Sequence, residues 1–179
     1  MFKKTLIVGL LAASSTLSAE FITGASVGYL FEAEEPMYTA RFGYSFAHTA
    51  ALSGIVEAEI GYTSEDDYDI DTGIIPLMAN YRLQVADASS GLSLYVGAGL
   101  GFSKVTLDTN SNLGEDDDYT FTWQVLAGIE YAVAENVSLR LGYRYIELDD
   151  VKLFEDSWFG GEYEVGYDSA VELGVNFSF

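Results

Sequence analysis

Between residues 119 and 133 the sequence YTFTWQVLAGIEYAV alternates between apolar and polar residues over most of its length. Tyr119, Phe121, Trp123, Val125, Ala127, Ile129, Tyr131 and Val133 fall on one parity, and Thr120, Thr122, Gln124, Gly128 and Glu130 on the other. Successive side chains of an extended strand point to opposite faces, whereas a helix returns to the same face every 3.6 residues or so. A strand therefore sorts this segment into one apolar and one polar face, and no helix does. The apolar face also continues far beyond the roughly five or six residues of an average strand.

The same alternation predicts strands at 21–31, 37–46, 52–63, 73–85, 92–106, 119–133, 137–147 and 164–179. Their connections alternate in kind. HTAA at 47–50, DASSG at 87–91 and AEN at 134–136 are short, whereas 64–72, 107–118 and 148–163 are longer and acidic, with EAEEP at 32–36 as a short member of the second set. Short turns at one end and longer loops at the other are the layout of an up-and-down barrel that crosses a membrane. No segment after the N-terminal leader approaches the roughly 18 to 20 unbroken apolar residues of a spanning helix, so any crossing must use strands.

The charges decide which way such a barrel faces. Phe42, Tyr44, Val56, Ile60, Tyr81, Leu94, Val96, Leu100, Leu139, Leu141, Val171, Leu173 and Val175 share the apolar parity, and Arg41, Glu57, Glu59, Arg82, Glu130, Arg140, Arg144 and Glu172 the opposite one. Those mid-strand charges are four Arg and four Glu, which sum to zero. Ionised groups enclosed in a small barrel must be paired, because an isolated buried charge costs several kcal/mol or more. A soluble lipocalin-like barrel would invert the pattern, apolar inside and polar outside. Tyr29, Phe31, Tyr62, Phe102, Tyr119, Tyr145 and Tyr167 near the loops, and Phe21, Phe46, Tyr131, Phe177 and Phe179 near the turns, read as two interfacial girdles. The expectation is an all-β, eight-stranded antiparallel up-and-down transmembrane β-barrel.

Residues 1–19 read as a signal peptide, with Lys3 and Lys4, the apolar run Leu6 to Ala13 and an exit at Ala19, although Leu17 is larger than such exits prefer. The barrel domain is then 20–179, with six basic residues against 28 acidic ones once Lys3 and Lys4 are removed. That balance repels nucleic acid and favours cations. The absence of Cys excludes disulfides, thiolate metal sites and cysteine nucleophiles.

Candidate chemistry is sparse. His48, the single histidine, lies in a short turn beside Thr49, where it reads as a solvated residue and not as a member of a catalytic triad. The segment EDDYDID at 65–71 sets Glu65, Asp66, Asp67, Asp69 and Asp71 close together, as oxygen-ligand cation sites often do, but without the glycine turn and terminal Glu of an EF-hand. It reads first as a hydrated repulsive loop and second as a metal site. Glu32, Glu34 and Glu35, then Glu115 to Asp118, then Asp149, Asp150, Glu155 and Asp156 extend the acidity to the other loops. Gly97, Gly99 and Gly101 leave room in the lumen for neighbours such as Arg140 or Arg144, and Pro76 requires a bulge or a local break in its strand.

The final residues VELGVNFSF place Val175, Phe177 and Phe179 on one face and end on an aromatic, like the assembly signal of outer-membrane proteins. With the signal peptide, the eight strands and IPLMANYRL at 75–83, the chain resembles the small outer-membrane β-barrel family that includes the OmpA barrel domain, OmpX-like proteins and opacity proteins. The resemblance implies an integral protein of the Gram-negative outer membrane, monomeric, in contact with lipid and lipopolysaccharide, and handled by the barrel-assembly machinery. The family includes adhesins and structural proteins, which fits a structural or surface-interaction role; the residues offer no catalytic constellation, so no enzymatic activity is expected, and the acidic loops suggest no cofactor beyond loosely held Ca or Mg. The alternative is a narrow cation-selective pore.

Overall fold

The structure, a computed structural model, describes residues 19–49, 51–67, 70–87, 89–109, 114–153, 161–163 and 166–179. The signal peptide therefore lies outside the described residues apart from Ala19. Eight long strands, β1 (Ala19–Leu30), β2 (Pro36–Ala47), β3 (Leu52–Asp67), β4 (Ile70–Asp87), β5 (Leu92–Thr109), β6 (Gly114–Ala134), β7 (Val137–Leu148) and β8 (Gly166–Ser178), each pair antiparallel with the next. β8 returns to β1, so the sheet is a closed barrel. The seam is completed at the turn end, where Phe179 N–H donates to the Phe21 carbonyl at 2.9 Å and Phe21 N–H to the Phe179 carbonyl at 3.2 Å. The all-β, eight-stranded antiparallel architecture expected from the alternation is the one observed.

The strands outrun their expected limits on the loop side. The β3–β4 ladder continues to Asp67 opposite Ile70, and the β5–β6 ladder to Thr109 opposite Gly114. Most of 64–72 and 107–118, expected as loop, is thus hairpin. β6 has 21 residues, roughly twice the nine to eleven that a tilted strand needs to cross a bilayer. Acidic residues have poor strand propensity and read as loop, but an antiparallel ladder continues wherever a partner backbone is in register. A two-stranded ribbon, Val151–Leu153 with Gly161–Tyr163, occupies part of 148–163.

Alternation along each strand divides wall from lumen. On β2, Tyr38, Phe42 and Tyr44 are exposed outward while Met37, Thr39 and Arg41 are buried inward. Aromatics meet at both rims. Tyr145 stacks on Tyr167 with centroids 5.7 Å apart and contacts Trp123 near the loops, and Phe21 meets Tyr44 and Phe179 near the turns. Pro76 is accommodated by a local break. The β3–β4 pairing lapses between Ile60–Leu77 and Thr63–Ile74 and resumes in the same register, while Pro76 stays opposite Ser103 on the β5 side. Gly61 is buried beside it, and a Cβ there would lie 2.8 Å from the proline ring. The luminal glycines of β5 serve different neighbours from those expected. Arg82 lies against Gly97 and Asn80 against Gly99, because both are direct cross-strand partners, whereas Arg140 and Arg144 stand on β7.

The turns are held by short-range contacts. The carboxylate of Asp87 is kept below the usual range by the Ser89 N–H, and then by the Ser89 and Ser90 hydroxyls. His48 is more engaged than a solvated turn residue. Its ring packs edge-on against Phe46 and its Nε2 lies 3.4 Å from the Tyr81 hydroxyl, covering the outer wall at Gly54. At the opposite end Asp168 accepts the N–H groups of Phe31, Glu32 and Ala33, each at 3.0 Å, and so pins the loop between β1 and β2, where Glu34 adopts φ 57°. Charge-assisted hydrogen bonds of this kind are the stronger ones. Asp168→Ala is expected to speed amide hydrogen exchange at Glu32 and Ala33 by about tenfold or more and to leave unchanged the mid-strand amides and Phe31, whose N–H also donates to the Ser169 carbonyl at 2.9 Å. Unaltered exchange in that loop would show that the clamp contributes nothing.

Candidate functional site

Six strands contribute charged residues to an ionic layer across the middle of the lumen. Each mid-strand residue alternates inward, and closure brings opposite walls within side-chain reach. Arg144 on β7 is its centre. Its Nε donates to Glu172 at 2.6 Å, and its Nη1 and Nη2 donate to the two carboxylate oxygens of Glu59 at 2.5 and 3.1 Å. Gln124 links the same site, accepting from Arg144 and donating to Glu59 at 3.2 Å and to Asn80 at 2.7 Å. Arg82 holds Glu57 at 2.9 Å and approaches Glu130 at 3.7 Å. Arg41 stands 3.9 Å from Glu59 and bonds Ser26 at 3.0 Å, and Arg140 stands 4.0 Å from Glu172. All eight charged residues therefore have an opposite charge within 4.0 Å, and Arg82 and Arg144 are 0% exposed.

Tyr95 is the luminal member that parity reading passes over. Its hydroxyl accepts Arg140 Nε at 2.6 Å, and the Arg140 and Arg82 guanidinium carbons lie 4.4 and 5.1 Å from its ring centroid. Gly128 and Gly142 leave room for that ring. The signal was available, since Tyr95 shares the parity of Gly97, Gly99 and Gly101 and opposes the outward Leu94 and Val96.

Above and below the ions the lumen changes character. Toward the loops it holds two apolar clusters beside the buried hydroxyls of Ser103, Thr120 and Thr122. Val105, Ile146 and Leu148 form one buried cluster with Ile74 and Leu107 against it, and Leu30, Met37 and Ala170 form another with Ala33 against it. Toward the turns it is polar and open, with a cavity of about 230 Å³ whose lining includes Glu130, Ser93, Ser138 and Asn176.

Asp69 lies outside the described residues, and Glu65, Asp66, Asp67 and Asp71 are described only as backbone of β3 and β4. Among the described residues no group of three or more His, Cys, Asp and Glu side chains could hold a metal ion. Val175, Phe177 and Phe179 lie at the end of β8 and just beyond it, with Phe177 and Phe179 exposed. No described helix is long and apolar enough to cross a membrane, which leaves strand crossing untouched.

A closed eight-strand wall that is apolar outside and ionic inside has a match among known proteins. The family model for the outer membrane protein beta-barrel domain matches residues 6–179. The chain belongs to this family. A 22 kDa outer membrane protein of Rhizobium leguminosarum bv. viciae is 28% identical over 142 residues, which span 76% of this chain and 63% of that relative. Among solved structures, Neisserial surface protein A superposes with a TM-score of 0.54 at 20% identity, covering 90% of this chain and 96% of that one. The N-terminal β-barrel domain of Pseudomonas aeruginosa OprF gives 0.55 at 21%, covering 89% and 97%. As an outer membrane protein β-barrel, the chain is integral to the outer membrane, with its apolar wall in lipid; short turns on the periplasmic side and long hairpins outside are the layout expected of such barrels.

The ionic layer of this barrel makes a quantitative demand. Arg144→Met leaves Glu59 and Glu172 short of their closest partner, and is expected to destabilise the folded barrel by about 3–5 kcal/mol in urea unfolding from lipid vesicles. The double variant Arg144→Met with Glu59→Gln, which also removes a stranded charge, should lose less than Arg144→Met alone. A loss in the double variant equal to or larger than in the single one would contradict the pairing.

Proposed function

We propose that the protein is a closed, monomeric outer-membrane anchor whose activity resides in its acidic outer rim, a structural or surface-interaction role with no catalysis. The observation that carries this reading is the filled lumen, in which a layer of charges, each within 4.0 Å of an opposite one, lies beneath two apolar clusters on the loop side. An aqueous path would have to break buried ion pairs and wet an apolar constriction, and both are costly. What remains exposed to partners is the extended hairpin pair. Its ladder sets Asp66 opposite Asp71, Asp71 opposite Asp108 and Asp108 opposite Glu115, four acidic positions in line across β3, β4, β5 and β6. Like charges directly opposite one another destabilise a sheet. Calcium or magnesium would relieve that repulsion and would bridge the rim to lipopolysaccharide phosphates. His48, at the turn end of the outer wall, is remote from this rim. Val175, Phe177 and Phe179, at the strand that closes the barrel, would serve the barrel-assembly machinery as the recognition signal.

The second reading, a narrow cation-selective pore, draws on the cavity that reaches Glu130 from the turn side. Planar-bilayer recording of refolded protein separates the two. A closed anchor gives no unitary steps, whereas reproducible cation-selective steps lost in an Arg144→Ala and Glu130→Ala pair would establish the pore. Calorimetric titration with calcium is expected to show saturable binding that weakens in a variant with Asp66→Asn, Asp71→Asn and Asp108→Asn. Unsaturable screening identical in both proteins would remove cations from the account.

A further inference from the structure

The turn-side cavity differs from everything above it. Its volume is about 230 Å³, room for several water molecules. Its lining includes five serines, one each from β2, β3, β5, β7 and β8, and three glutamates, Glu20, Glu130 and Glu135, with no Lys or Arg. The cavity ends at the ionic layer, where Arg82 and Arg140 are buried and engaged with Glu57 and Tyr95. Beyond that layer Thr122 is 0% exposed and shares a 2.7 Å hydrogen bond with Ser103 beneath the apolar cluster of the outer mouth. The cavity is therefore blind, open to the periplasmic side and shut toward the outside.

Two polar atoms on this cavity lack a hydrogen-bond partner, as do several within the ionic layer. Asn176 lines the cavity and is only 4% exposed, yet its Nδ2 has no partner. Its carbonyl oxygen is already turned toward Arg41, 3.5 Å from Nη2, so the amide donor is the free end. Glu130 gives one oxygen to the Ser138 hydroxyl, while its Oε2 lacks a hydrogen bond and has only the 3.7 Å approach of Arg82. A lining whose charged groups are all carboxylates, with an unpartnered acceptor at Glu130, suits a cation that carries its own donors, either water ligands or a hydroxyl.

We propose that the periplasmic half of the lumen is a blind chamber that takes up small hydrated or hydroxyl-bearing cations from the periplasmic side only. Clefts lined by one sign of charge raise the local concentration of the opposite ion. The ionic layer and the apolar clusters then stop the ion from going further.

The absence of native Cys allows a direct test with single-cysteine variants of the full barrel, refolded in lipid vesicles and labelled with a trimethylammonium thiosulfonate or a sulfonate thiosulfonate. The ratio of the two rates is taken relative to that on free cysteine. For Ser93→Cys, opposite Glu130 across the β5–β6 pair, the cationic reagent should be favoured by about tenfold. Glu20→Gln with Glu135→Gln at the chamber mouth should remove most of that preference, and these exposed positions leave the folded barrel intact. Thr122→Cys should react with neither reagent while folded. An unlabelled Ser93→Cys, or a ratio equal to that of free cysteine, overturns the chamber and leaves the closed anchor standing. Labelling of Thr122→Cys as fast as Ser93→Cys overturns both.

Discussion

In hydrocarbon an unpaired backbone N–H or C=O has no water to turn to, and each one left open costs several kcal/mol. A sheet in that medium has to close on itself. Here the closure is the β8–β1 ladder, which runs from Leu30 opposite Ala170 to Ile22 opposite Ser178. Everything else in the molecule follows from it. Closure creates an inside, eight strands leave an inside only as wide as side chains, and whatever charge is placed there must find its counter-charge across a few ångströms. Arg144 with Glu59 and Glu172, and Arg82 with Glu57, are the local answers to that demand.

How much of this was legible in the sequence depends on the physics of each feature. Strand identity and facing follow from a period of two fixed by covalent geometry, so Phe42 and Arg41, or Ile129 and Glu130, could be assigned to opposite faces from parity alone. Strand ends could not, since the acidic stretches of β3 to β6 lack strand propensity and are extended by a partner's register. Contacts across the lumen were equally hidden. Gln124 bonds Glu59 at a sequence separation of 65, which depends on barrel stagger and not on any local pattern. Gly97 and Gly99 announced a need for space, but the residues using it are Arg82 and Asn80, their immediate neighbours on β4. Apolar luminal residues such as Met37, Val105 and Ile146 obeyed the inward parity, yet their hydrophobicity reads as wall, and Tyr95 was obscured in the same way.

The lumen that results is stratified along its axis: apolar at the outer mouth, ionic in the middle, hydroxyl-lined and acidic at the periplasmic end. Each stratum suits its neighbour. The apolar clusters keep water from the ions on one side, so the ions pair with one another, while on the other side Glu130 and Asn176 remain reachable from the cavity. A barrel of this kind holds its surface segments at a fixed height over the membrane, with the Asp168 clamp ordering the first of them.

The central claim is that the wall faces lipid with its apolar parity and encloses its ionic one. Spin-label accessibility along β6 in lipid bilayers tests it most directly, using single-cysteine replacements from Thr122 to Glu130. The account predicts a strict two-residue alternation in collision with oxygen, high at Trp123, Val125, Ala127 and Ile129 and low at Thr122, Gln124, Leu126, Gly128 and Glu130. Oxygen access of the opposite phase, or with no alternation, would contradict it.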